Sequence, residues 1–153
     1  MHQKKDLILA SKNDTSIVVC PRANAALAEG IPDVNLMMKS GCNLTIGTDN
    51  VMINSPDMFR EMDYLWKVSM GLQKTRLNPK SILKMATVNA AKMLQQKNMG
   101  TIQSNSLADC IFINKHAIDL EPMHNPHASI VHRASETTIK AVMFGGKIVD
   151  GKI

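Results

Sequence analysis

Aromatic side chains are scarce, with three Phe, one Tyr and one Trp in 153 residues. That removes the stacking platform on which single-stranded nucleic acids are held. The formal charge of +5 does not replace it, because the 18 Lys and Arg are scattered singly or in pairs rather than gathered into a stripe. Nucleic acid is therefore not an expected partner. Long apolar runs are missing too: nothing approaches the roughly 20 residues of a membrane span. MHQKKDL has no apolar segment of the signal-peptide kind, so the expectation is a cytoplasmic protein without a membrane partner. Cysteine is limited to Cys20, Cys42 and Cys110, an odd number at wide spacing. Neither a disulfide framework nor a zinc ribbon is written that way, and reduced, mostly buried thiols are expected.

What is present is material for one ordinary domain. A 44% hydrophobic fraction over 153 residues allows a real core but not two large domains. The twelve methionines fall mostly at helical spacings, which suits core filling. KDLILASKN reads as the end of an amphipathic helix, followed by the strand TSIVVCP. After a polar connection, RANAALAEG, Pro32 suits a first helical turn and Gly41 a helix C-cap. CNLTIGTD is the next strand. Ser55 and Pro56 are placed to start a helix whose face is Met58, Met62, Leu65 and Ser69. Asn78 caps a further long helix, NPKSILKMATVNAAKML.

This alternation predicts an α/β fold with a parallel sheet, its strands covered on both faces. Beyond Gly100 the texture changes to short strands, ADCIFIN, TTIKAVMFGG and KIVDGKI. Gly145-Gly146 makes a hairpin of the last two, which should depend on packing by Ile111 in the first. The His- and Pro-rich stretch between them reads as a long connection with one short element.

The chemistry is expected where the two parallel strands end, because βα loops gather there. The first strand delivers Arg22 and Asn24, and the second delivers Thr48, Asp49 and Asn50. A carboxylate at the end of a buried strand needs a cation, a metal or hydrogen-bond donors in place of lost water. Asp49 therefore either caps its own turn or holds something.

CPRANAALAEGIPDVNLMMKSGCNLTIGTDN, SPDMFREM, MATVNAAKML, GTIQSNSLADCIFIN and MFGGKIVDGKI, in that order, resemble passages of the amidohydrolase superfamily, in its branch of metal-dependent deaminases and chlorohydrolases. The resemblance implies a C-terminal fragment of a (β/α)8 TIM-like barrel, the last two βα units, in residues 1–98. Residues 99–153 would be C-terminal strands of a small β-sandwich domain built from both chain ends. A whole barrel takes about 250 residues. The missing N-terminal half, or a homo-oligomer, is thus an expected partner beside a small-molecule substrate.

By the same resemblance Asp49 is the catalytic residue and a ligand to a divalent metal, Zn or Fe, the other ligands lying upstream. His2 falls a few residues past the position of a family metal histidine and takes no such role. Arg22, Asn24 and Asn50 are substrate-binding candidates, with loop support an alternative for the first two. Glu61 reads as a structural charge in the first turns of its helix. His116, His124, His127 and His132 fall in the β-domain region and its connection, away from the barrel mouth. Ser106 replaces a glycine that the family usually has in its hairpin. The implied reaction is hydrolytic deamination of a cyclic amidine or purine-like compound. VMIN, one residue shorter than the family's small polar passage, weighs against a purine-nucleoside or guanine-type substrate. The competing reading is a binding or assembly module that keeps the fold without the chemistry.

Overall fold

A computed structural model describes residues 4–152, so His2 lies outside the described residues. The chain runs α1 (Lys4–Lys12), β1 (Ser16–Val19), α2 (Pro21–Ala26), α3 (Val34–Lys39), β2 (Asn43–Ile46), α4 (Met58–Gln73), α5 (Pro79–Met85) and α6 (Val88–Met93). It continues with β3 (Cys110–Ile113), α7 (Pro126–Arg133), β4 (Ile139–Phe144) and β5 (Lys147–Gly151). Among the described residues no helix is long and apolar enough to cross a membrane.

β1 and β2 pair in parallel, with Ile17 beside Leu44 and Val19 beside Ile46. Because side chains alternate across a strand, those four share one face, and all join the main hydrophobic cluster under the helices. Leu44, Leu65, Ile82 and Met85 are each at most 1% exposed there. Burying each such side chain contributes about 1.5–3 kcal/mol. The opposite face carries Val18 and Thr45, and it is only partly covered: Thr45 donates to the Met93 sulfur, while Val18 remains 47% exposed.

Several helix boundaries depart from the sequence expectation for identifiable reasons. The polar connection after Cys20 is the short helix α2, started by Pro21 at its first position. Pro32 lies just outside α3, which Asp33 caps by accepting from the Leu36 amide. α4 starts at Met58 rather than at Ser55, because the Asp57 carboxylate accepts from the amides of both Phe59 and Arg60. The single long helix expected after Asn78 is broken into α5 and α6 at Thr87, whose backbone leaves the helical region and whose hydroxyl donates to the Leu83 carbonyl. The break turns α6 against β2: Asn89 donates to the Leu44 carbonyl at 2.8 Å, and Asn43 donates to the Asn89 carbonyl at 3.1 Å.

Downstream, β3, β4 and β5 form an antiparallel sheet in that order, with the β4–β5 turn at Gly145-Gly146, both at positive φ. Ile111 is not the buried packing residue expected of it, being 52% exposed, whereas Ala141 on the central strand is fully buried. The connection between β3 and β4 holds α7, which lies against α4 and α5 and buries Ser129 and Val131. Arg133 closes it by donating to the carbonyls of Leu120 and Pro122 and to the Ser129 hydroxyl.

Candidate active site

The C-terminal ends of β1 and β2 lie side by side, since Val19 pairs with Ile46 and the Gly47 amide donates to the Val19 carbonyl. Cys20, Arg22, Gly47, Thr48, Asp49 and Asn50 therefore leave the sheet at the same edge. Gly47 keeps that edge tight: a Cβ there would stand 3.0 Å from Val18 and 3.4 Å from the Cys20 sulfur.

Asp49 sits at φ +58, in the left-handed region that aspartate tolerates better than most residues. Its side chain is exposed, and one carboxylate oxygen accepts from the Asn50 amide at 2.8 Å. Asn50 is exposed as well, with its side-chain oxygen accepting from the Met52 amide. No ion pair to Asp49 occurs among the described residues. The turn-capping bond thus engages one oxygen of an exposed carboxylate that has no ion-pair partner among the described residues.

Arg22 is engaged by groups of the chain itself. Its guanidinium Nη1 lies 3.3 Å from Glu61 Oε1 and donates to the Ser55 carbonyl at 3.2 Å, and its backbone amide donates to Glu61 Oε2 at 3.2 Å. The Glu61 side chain is fully buried, with Arg22 only 17% exposed. Burial pushes the Glu61 carboxyl above its ordinary 4.5, and Arg22 draws it back down. Asn24, half-buried in α2, donates to the Glu29 carboxylate within its own segment. Cys20 sits between the two strand ends; burial first, then the charges of Asp49 and Glu61, raise its thiol above 9.0, partly offset by the amides of Asp49 and Gly47.

Glu61 is the residue whose importance the sequence reading understated. Its position three after Met58 and four before Leu65 places it on the buried face of α4 rather than on the solvated one. A carboxylate at such a position demands a cation, and Arg22 answers it.

The histidines lie elsewhere. His116 pairs with Glu121 at 2.7 Å on an exposed surface, and His132 meets Trp66 edge to face with its Nδ1 3.6 Å from Asp63. His124 is exposed and His127 half-buried on α7 or just before it. Among the described residues no group of three or more His, Cys, Asp or Glu is placed to hold a metal ion. A catalytic metal needs about three protein ligands. A carboxylate such as that of Asp49 is of the ligand type such an ion takes, and the described residues do not complete the set.

The model of the amidohydrolase family matches residues 1–149. A protein of Methanothermobacter thermautotrophicus is 38% identical over 146 residues, which are 95% of this chain and 36% of that protein. The 5-methylthioadenosine/S-adenosylhomocysteine deaminase of Thermococcus sibiricus is 34% identical over 152 residues, 95% of this chain and 35% of the relative. Among solved structures, a zinc-bound adenosine deaminase from Xanthomonas campestris superposes with a TM-score of 0.92 at 25% identity, covering 97% of this chain and 35% of that one. The chain thus spans about a third of the length of the proteins it matches.

Proposed function

The chain belongs to the amidohydrolase family, and on that premise we propose that it is the C-terminal portion of a metal-dependent hydrolase that deaminates a purine-like compound and is inactive until the rest of the barrel joins it. Residues 1–98 then supply the last two βα units and residues 99–153 the C-terminal strands of a small β domain, with α7 reaching back onto the barrel helices. The observation that carries this reading is the exposed Asp49 carboxylate at the end of β2, held by a single bond to its own loop.

A divalent ion such as Zn or Fe, held by Asp49 and by ligands from the missing segment, would supply the Lewis acidity that makes water nucleophilic near neutral pH. Asp49 accepts a proton from the attacking water as its oxygen bonds to the amidine-like carbon, and returns it to the departing nitrogen. The C–N bond breaks and ammonia leaves, with the carboxylate regenerated. Asn50, exposed beside it, is the nearest candidate for substrate contact. Arg22 and Asn24 line the same edge but are engaged with Glu61, Ser55 and Glu29, which favours loop support over direct substrate contact. The names of the relatives favour an adenine nucleoside or thionucleoside over other cyclic amidines, against the weight that the shortened VMIN passage put on the other side.

The test is to join the chain to a barrel segment carrying the remaining ligands and to assay ammonia release from adenosine and 5-methylthioadenosine. Release by the joined protein, with none from the chain alone, is expected. Zinc bound one-to-one by the chain alone with turnover would overturn the incompleteness. A joined protein that folds, binds no metal and releases no ammonia would favour the binding module.

A further inference from the structure

The connection from Asp49 to α4 is tied down at a point that the hydrolytic chemistry does not use. Residues 49–55 leave β2 in a left-handed turn and carry an exposed apolar tip, Val51 at 69% and Met52 at 93% exposure. Such a segment wanders unless both of its ends are fixed. At its start the fixing is local, through Asp49 to the Asn50 amide and Asn50 to the Met52 amide. At its far end the Ser55 carbonyl accepts locally from the Asp57 amide at 2.8 Å and, across the fold, from Arg22 Nη1 at 3.2 Å. The same nitrogen is held by Glu61, which also grips the Arg22 backbone amide through its other oxygen.

One buried carboxylate on α4 therefore fixes the backbone just after β1 and, through the guanidinium, the end of the loop after β2. We propose that Glu61 and Arg22 are positioning residues: together they set the course of the Asp49–Ser55 loop and so the aim of Asp49 and Asn50. This rests on the functional reading above only for its catalytic consequence; the loop order is a property of the chain itself. A buried ion pair alone is weak grounds for a role, since well-packed neutral replacements often fold as well. What points beyond stability is the third contact, to the Ser55 carbonyl, because a guanidinium can serve the carboxylate and the carbonyl together whereas a merely stabilising pair has no need of it.

The experiment compares Glu61→Gln, Arg22→Met, Arg22→Lys and the double variant Arg22→Met/Glu61→Gln. Its primary readout is limited thermolysin digestion of the 153-residue chain, scored by mass spectrometry for cleavage at Val51, Met52 and Ile53 relative to cleavage elsewhere. Its second is kcat and KM in the joined protein. Arg22→Met is expected to raise loop cleavage at least tenfold, and Arg22→Lys to restore part of the protection. The double variant should recover thermal stability while its loop stays open. In the joined protein kcat should fall at least tenfold with KM within about twofold. A double variant that regains wild-type loop protection shows that the pair is structural only and overturns the proposal, as does Arg22→Met with unchanged loop cleavage. A joined wild type that never releases ammonia removes the functional reading above, while the digestion result still decides the positioning role.

Discussion

Gly100 offers a perturbation that separates the scaffold from the site. It follows α6 at φ +81, and a Cβ there would stand 2.9 Å from the Ala91 Cβ and 3.0 Å from both the Thr87 carbonyl and the Val88 Cα. Two of those three neighbours are backbone, so the neighbourhood cannot yield by a rotamer change. Gly100→Ala should therefore lose about 1–2 kcal/mol for holding an L-residue in the left-handed region, and about 1–3 kcal/mol more for the overlap. Gly145→Ala is the control: it also sits at positive φ, +56, but has nothing within 4 Å. Only the first cost applies to it. With about 2–4 °C per kcal/mol for a chain of this size, a central loss near 3.5 kcal/mol lowers Tm by about 7–14 °C, and the control should lose a little under half as much. Thermal unfolding of both variants and wild type at one protein concentration reads this directly. Equal losses for the two variants would refute the claim that the backbone at Gly100 packs tightly against the start of α6.

Other expectations follow from burial and charge. Ala141→Asp, on a fully buried position of β4, should unfold the three-stranded sheet first in amide exchange, whereas Ile111→Asp, at a half-exposed position, should cost far less; the reverse order would show that the sheet faces are misassigned. The Cys20 thiol, raised above 9.0, should alkylate more slowly than a free thiol at pH 8–9 and accelerate only at higher pH, and Asp49→Asn should hasten it by removing one of the raising charges. Its contribution to folding is fully present below pH 9.0 and is lost as pH rises through the raised value. Unchanged peptide-resolved alkylation in Asp49→Asn would place Asp49 away from Cys20. The chain by itself should dimerise or aggregate at tens of micromolar, on the order of concentrations at which unpaired strand edges associate, because among the described residues β1 pairs with β2 alone. A sharp monomer in sedimentation would contradict that.

The alternation of strands and helices was legible because each parallel strand is an unbroken apolar run, and the terminal hairpin because two glycines mark its turn. The break at Thr87 was not, since NPKSILKMATVNAAKML keeps helical periodicity through it and only the docking of Asn89 on β2 requires the bend. Likewise α2 is written in residues that read as a loop, and it forms because Pro21 starts a turn where the chain leaves the sheet. The place of Asp49 and Asn50 just after β2 could be read from the strand ends alone. The fate of Arg22 could not, because an arginine at a strand end reads as a ligand contact until the buried Glu61 across from it is known. The helical spacing of Glu61 against Met58 and Leu65 was the available signal, and it was outweighed by the ordinary preference for acidic residues near helix N-termini.

The most direct test of the account is Asp49→Asn in the joined protein, with ammonia release and metal content measured on the same preparations. Asparagine keeps the shape and the turn-capping bond to the Asn50 amide but removes the charge and the basic oxygen. The account predicts a fall in turnover of at least about a hundredfold, the low end of what a positioned acid–base group contributes, together with reduced metal and a retained fold. Near-normal turnover with full metal would contradict it, and would leave Asp49 as the cap of its own turn.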